Sequence, residues 1–258
     1  MADRSERADR PRVALVVPLV ASLGELDVAS YAGGLERLPW LDLLVTGRSR
    51  SRELFDGWTH RSPRARFVDL GDDVSDSQIV QEGMRRALSE GYPFAGYWGP
   101  DCEVPLAFLQ EWVDRLAASE LQLVFGSRLR LVQHDHPGLW LRHYAGRAWA
   151  SAVSVLLKLE AYDTECCAKL FRNGPIARAA FEPPFETKVC FDTELFVRLL
   201  ELEAGPAGLR VERDCLELPL RTWRRRPRPR YGLTNLHRVL ADGALLHKRL
   251  AVLGRKWR

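Results

Sequence analysis

The chain has 258 residues, 46% hydrophobic and 28% charged, a balance that excludes a disordered protein and suits one large globular domain or two small ones. No apolar run approaches the roughly 20 residues of a membrane-spanning helix, and the charged start MADRSERADRPR lacks the apolar core of a secretory signal. The net charge of +4 is modest but uneven, because residues 221–230 (RTWRRRPRPR) carry six arginines.

Residues 1–11 read as a loose tail. Residues 12–19 (RVALVVPL) are rich in β-branched side chains and predict a first buried strand. Helical spacing follows over 27–38, then a second short strand over 41–45 (LDLLV) and a polar loop over 47–52 (GRSRSR). Residues 66–70 (RFVDL) predict a third strand, and the acidic loop GDDVSD after it can cap a helix over 77–91. Next comes AGYWGPDCEVP, residues 95–105: a strand through Ala95, Tyr97 and Trp98 that runs into Asp101 and Glu103 and stops at Pro105. Two acids two residues apart on a loop after a buried strand can share a divalent cation, Mg²⁺ or Mn²⁺, that bridges to substrate phosphates; a solvated turn is the plain alternative. A helix over 106–119 and a strand over 121–125 lead into Gly126, Ser127 and Arg128. Strands alternating with helices of this length predict an α/β fold, a mostly parallel sheet flanked by helices.

The second half reads differently. Residues 139–160 are a long, mostly apolar helical stretch, and 162–172 (YDTECCAKLFR) a loop followed by a strand. Residues 191–203 (FDTELFVRLLELE) form an amphipathic helix whose first turn carries Asp192 and Glu194, where the helix dipole favours acids. A final strand is expected over 211–220 and a basic helical tail over 233–253. The arginines of GRSRSR (Arg48, Arg50, Arg52) can meet phosphate with their guanidinium forks, a solvated loop being the alternative. His134, Asp135 and His136 have no third metal ligand in view and read as exposed. Segment 223–258 mixes arginines with Trp223, Tyr231 and Trp257, which suits an amphipathic element resting on an anionic membrane surface. Nucleic acid is the rival partner for a basic stretch, but no recognition motif accompanies it. Five cysteines (Cys102, Cys166, Cys167, Cys190, Cys215) show no zinc-type spacing; without an export signal they read as free thiols of a cytoplasmic protein, at most peripheral to a membrane.

Five segments taken in order, GYWGPDCEVP (96–105), FGSR (125–128), RHYAGR (142–147), YDTECCAKLFR (162–172) and FDTEL (191–195), resemble glycosyltransferase family 2, in the branch of the dolichyl-phosphate mannose and glucose synthases. The resemblance implies a GT-A domain over 12–222, its nucleotide-sugar half first and its acceptor half second, with 223–258 a tail. It also implies metal-assisted, inverting transfer of a sugar from a nucleotide-sugar donor to a phosphate or hydroxyl acceptor, a lipid phosphate among them. Arg128 and Arg142 fall at the family's acceptor-phosphate arginines. Asp163 and Glu165 fall in the loop that lines its active site, with Lys169 on the adjoining strand and Asp192 and Glu194 at the acceptor site. Asp163 or Asp192 would serve as base toward a hydroxyl, whereas a phosphate acceptor needs none.

The nucleotide half departs from the family. Val20, Ala21 and Ser22 stand where it has Tyr-Asn-Glu, and Thr46, Gly47, Arg48 and Ser49 where it has Asp-Asp-Gly-Ser. Asp76 replaces a usual basic residue. Gly99 replaces the first acid of the metal motif, leaving Asp101 and Glu103 for the metal, Asp101 for catalysis, and Arg48 and Ser49 for the donor. The alternative is a GT-A protein that has lost sugar transfer and acts on a phosphorylated or isoprenoid substrate by other chemistry, or serves as a binding subunit.

Overall fold

The sheet grows from strands apolar on both faces. The structure, a computed structural model, describes residues 10–20, 23–56, 62–128, 153, 155–224 and 236–254. Strands β1 (Val13–Pro18), β2 (Leu41–Gly47) and β4 (Phe94–Trp98) are buried at every position, as parallel strands covered by helices on both sides must be. β3 (Ala65–Asp69) and β7 (Cys215–Pro219) are only partly buried and form the two edges. With β5 (Leu123–Ser127) and β6 (Ala168–Arg172) the order is β3-β2-β1-β4-β6-β5-β7. β6 runs antiparallel to both neighbours and every other pairing is parallel.

Alternation along the strands assigns the two faces. Ala14 and Val16 point to one side, with Ala95 and Tyr97, against Ile79, Val80, Met84 and Leu88 of α3 (Asp76–Ser89). Val13, Leu15 and Val17 point to the other, with Trp98, toward Tyr31 and Leu35 of α1 (Val28–Arg37) and Leu109, Trp112 and Leu116 of α4 (Phe108–Ala117). Ser75 and Gln78 close a capping box at the start of α3, one residue earlier than the sequence suggests. Two short helices escape the periodicity: α2 (Arg52–Asp56) and α5 (Pro175–Phe181), the latter with its proline at the first helical position.

Helix α6 (Phe191–Ala204) is buried on all sides over its first ten residues, polar ones included. The strand expected over 211–220 is shorter: its beginning is the single turn α7 (Val211–Asp214), where Asp214 accepts the Arg210 N–H at 2.8 Å, and only β7 pairs with β5. Helix α8 (Leu236–Leu253) buries Val239, Leu246 and Leu250 in the cluster that holds α6. The same helix leaves Leu240 and Val252 exposed. No helix among the described residues is long and apolar enough to cross a membrane. Of the expected helix at 139–160, positions up to 152 and 154 lie outside the described residues, as do Arg142, the 134–136 cluster, the tail 1–9 and the arginine-rich segment from 225 to 235.

The chain steps outward from β1 to β2 and β3, then returns to lay β4 on the other side of β1. The carboxyl ends of β1 and β4 thus mark the switch point of the sheet, the edge at which ligands of open α/β sheets bind. Gly96 lets β4 and β6 meet: a Cβ there would lie 2.2 Å from the Lys169 carbonyl oxygen. Gly96→Ala is accordingly expected to cost about 1–3 kcal/mol or more, measured as a lowered urea midpoint; an unchanged midpoint contradicts this packing.

Candidate functional site

The loop after β4 is built as a closed set of hydrogen bonds. Gly99 O accepts from the Tyr31 hydroxyl at 2.6 Å and from Cys102 N at 2.9 Å, and Pro100 O accepts from Asp27 N at 2.8 Å. Arg224, beyond β7, donates its Nη2 to Asp101 O at 2.9 Å and Cys102 O at 3.2 Å, and its backbone N–H to Glu103 O at 2.7 Å. Trp98 Nε1 donates to Val104 O at 2.6 Å. Arg224 also pairs with Asp27, the cap of α1, whose carboxyl lies below its ordinary value: burial pushes it up, but the Ser30 N–H and Arg224 together outweigh that. With its carbonyls from 99 to 104 all engaged, the loop holds Cys102 in left-handed backbone at φ 48°, a conformation that costs a non-glycine residue and survives only where neighbours enforce it. Burial pushes the Cys102 thiol up to about 11.

The two predicted acids of this loop part company. Asp101 is half-buried, accepts the Glu103 N–H at 3.2 Å, and lies against the loop after β1: a Cβ on Gly24, whose φ is +103°, would lie 2.8 Å from Asp101 Oδ2. Glu103 turns inward, both its oxygens accepting from Nη1 of Arg128 at 3.1 and 3.3 Å. The rest of that guanidinium grips Asp163, with Nε–Oδ2 at 2.6 Å and Nη2–Oδ1 at 2.8 Å, while Arg128 N donates to Oδ2 at 3.0 Å. Glu217 of β7 accepts from the N–H groups of Tyr162 and Asp163 and fixes that loop in turn. Burial pushes the Asp163 carboxyl up, but Arg128 more than reverses it, leaving the group below its ordinary value.

A divalent metal at Asp101 and Glu103, as expected from the sequence, would have to share Glu103 with Arg128. Glu103 already serves a guanidinium, and among the described residues no group of three or more His, Cys, Asp or Glu side chains can hold a metal ion.

The other predicted acceptor-side residues are brought together, but beneath the site. Lys169 and Asp192 form an ion pair at 2.6 Å with neither side chain exposed. Lys169 spends its remaining donors on Thr164 O at 2.9 Å and Cys166 O at 2.6 Å, and Asp192 also accepts from the Tyr97 hydroxyl. Lys169 therefore has no N–H left for a phosphate, and Asp192 no open path to a substrate. Glu165 is buried against the Thr193 hydroxyl. Glu194 accepts from Glu186 N, Thr187 N and Oγ1, Arg198 and Arg249, which makes it a hub of the 186–201 region instead of an acceptor contact.

On the donor side, Arg48 gives Nε and Nη2 to Val74 O and Nη2 to Asp76 at 3.0 Å. Ser49 donates to Asp69 at 2.7 Å, while Arg50 and Arg52 lie 3.9 Å from Asp72 and Asp69. The arginines of GRSRSR thus face the acids of β3 and the GDDVSD loop. Sequence reasoning missed Gly24, Asp27, Tyr31 and Arg224. Asp27 and Tyr31 read only as a helix start, and Arg224 as one of a basic run, because their partner loop is far away in sequence.

No protein-family model matches the chain, and no curated protein matches it in sequence. Solved structures do match in shape. Glucosyl-3-phosphoglycerate synthase from Mycobacterium tuberculosis, in complex with UDP, superposes with a TM-score of 0.55 at 15% identity over 95% of this chain and 82% of that one. This is the GT-A fold. The same enzyme with Mn²⁺ and UDP-glucose gives 0.56 at 14% identity, over 94% and 80%. 4-Diphosphocytidyl-2C-methyl-D-erythritol synthase from Anaerococcus prevotii gives 0.51 at 12%, over 92% and 98%.

Two outcomes test the ion pairs. Lys169→Met leaves Asp192 buried without its cation and is expected to cost about 3–5 kcal/mol in urea unfolding, and Lys169→Met/Asp192→Leu less than that; a neutral single variant refutes the pairing. Because Asp163 has a depressed folded value, its stabilisation is complete above about pH 4 and is lost as pH falls further. Asp163→Asn is therefore expected to lower the neutral-pH midpoint and to flatten the acid limb, and an unaltered acid limb contradicts the Arg128 pairing.

Proposed function

We propose that this chain is a GT-A glycosyltransferase that moves a sugar from a nucleotide-sugar donor to a phosphate or hydroxyl acceptor at the carboxyl edge of the sheet, beside the loops after β1 and β4. The observation that carries the reading is Asp101, held by the closed loop and presented half-buried at the switch point of the sheet. The M. tuberculosis enzyme is described with UDP, Mn²⁺ and phosphoglyceric acid, which supports a nucleotide donor and a phosphorylated acceptor here. Membership of family 2, in its dolichyl-phosphate branch, rests on the five sequence segments.

In this reading the acceptor oxygen attacks the anomeric carbon, the bond to the nucleotide diphosphate breaks, and the configuration inverts. A phosphate acceptor is already anionic. A hydroxyl acceptor must lose its proton to a carboxylate, and of Asp101, Asp163 and Asp192 the first suits that role: Asp163 spends both oxygens on Arg128, and Asp192 is fully buried. A second reading is favoured by Arg48, whose commitment to Val74 and Asp76 takes up a donor-side group. It is a GT-A protein that acts on a phosphorylated or isoprenoid substrate without sugar transfer, or one that serves as a binding subunit.

Mass-spectrometric detection of product from UDP- and GDP-sugars, with phosphoglycerate and prenyl phosphates as acceptors, separates the two. Transfer is expected, and Asp101→Asn is expected to lower kcat about 10²-fold or more toward a hydroxyl acceptor with the melting temperature kept. Full activity in Asp101→Asn removes that residue from the chemistry. Absence of both transfer and nucleotide-sugar binding leaves the second reading in place.

A further inference from the structure

We infer that the guanidinium of Arg128 stands in for a divalent metal at the carboxyl edge of the sheet, so that this chain holds no metal there and handles substrate phosphates without one. The phosphate half of that statement rests on the transferase reading; the metal half rests on the geometry alone.

Four carboxylate oxygens, two from Glu103 and two from Asp163, surround this one cation at 2.6 to 3.3 Å. They come from different elements, the loop after β4 and the loop before β6, and an arrangement that gathers two acids from separate loops is what a bridging cation would require. Here the bridge is covalently part of β5's end. Glu103 is 8% exposed and Asp163 12%, so the charge-assisted bonds between them and Arg128 are weakly screened by water. A dication approaching Glu103 would meet the fixed positive charge of Arg128, and Glu103 would have to surrender its bonds to that cation first.

Backbone oxygens do not replace the lost ligand. Hard cations commonly recruit carbonyls, yet the carbonyls of residues 99 to 104 are all engaged, by Tyr31, Asp27, Arg224, Trp98 and the loop's own Cys102 N–H. Asp163 is fixed from behind as well: Glu217 holds its N–H, and Lys169 holds the carbonyls of Thr164 and Cys166 in the same loop. On the other flank of the acid loop lies a second built-in cation, Arg224, whose side chain is 55% exposed at the rim. Positive charge at this edge is therefore supplied by side chains.

The test is a titration of the full chain with Mn²⁺ alone, followed by loss of the free-ion electron paramagnetic resonance signal. The wild type is expected to show no saturable site through the millimolar range. Arg128→Met removes the guanidinium from between Glu103 and Asp163, and is expected to gain a Mn²⁺ site at least about tenfold tighter than any in the wild type. Arg128→Lys keeps a cation and is expected to gain none. Saturable wild-type binding that is lost in Asp101→Asn or Glu103→Gln overturns the inference, and that arm decides even where Arg128→Met fails to fold. In a parallel titration, nucleotide-sugar affinity in EDTA is expected to equal that in Mn²⁺, and a drop of tenfold or more in EDTA overturns the inference. Absence of nucleotide-sugar binding in both buffers overturns the transferase reading instead, with the Mn²⁺ arms still deciding the metal question.

Discussion

Arg128 between Glu103 and Asp163 is the interaction on which the carboxyl edge of this sheet depends. A guanidinium is planar, permanently charged and forked, so it meets two carboxylates from two loops at once through separate nitrogens. Through those bonds the end of β5 holds the acid loop after β4 and the 162–167 loop before β6, and Glu217 brings in β7. From the opposite side Asp27, Tyr31 and Arg224 pin the same acid loop to α1 and to the segment after β7. Asp101 sits on this scaffold, its carbonyl accepting from Arg224 and its Oδ1 from the Glu103 N–H at 3.2 Å.

The half of the molecule behind this edge contains more buried charge than a core of its size needs. Lys169 with Asp192, Glu194 with Arg198, and Asp242 beneath the N–H groups of Lys188, Val189 and Cys190 are all internal. Desolvation makes such pairs poor sources of net stability, whereas breaking one is costly. Their effect is geometric: two of them join the start of α6 to another element, β6 through Lys169 and α8 through Asp242, while Glu194 and Arg198 lie one turn apart on α6 itself. The C-terminal helix is thereby part of the support for the 186–194 turn, packing on the domain through Val239, Leu246 and Leu250.

Much of the architecture was legible in the sequence, because parallel strands covered on both faces leave unmistakable apolar runs such as VALVVP and FAGYW. The short helices α2 and α5 were not, since five to seven residues carry too little periodicity to register. At the site, spacing correctly set Asp101 and Glu103 on a loop after a buried strand but could not say which way each side chain turns. Glu103 turns to Arg128, a residue 25 positions on, and only the antiparallel insertion of β6 beside β4 and β5 makes that meeting inevitable. Lys169, Asp192 and Glu194 were expected at the substrate because they fall at the acceptor-side positions of the family that the sequence resembles; in the structure all three are buried among partners of their own. Arg48 and Asp76 each looked like a loss when read singly, yet they are partners at 3.0 Å.

The central claim is that this edge keeps its acids neutralised by its own arginine. Its most direct test is a crystal structure grown with Mn²⁺ and a nucleotide sugar, with anomalous scattering recorded at the manganese edge. Arg128 is expected still seated between Glu103 and Asp163, with no manganese peak beside Asp101. A manganese ion bound by Asp101 or Glu103, with Arg128 displaced, would contradict it.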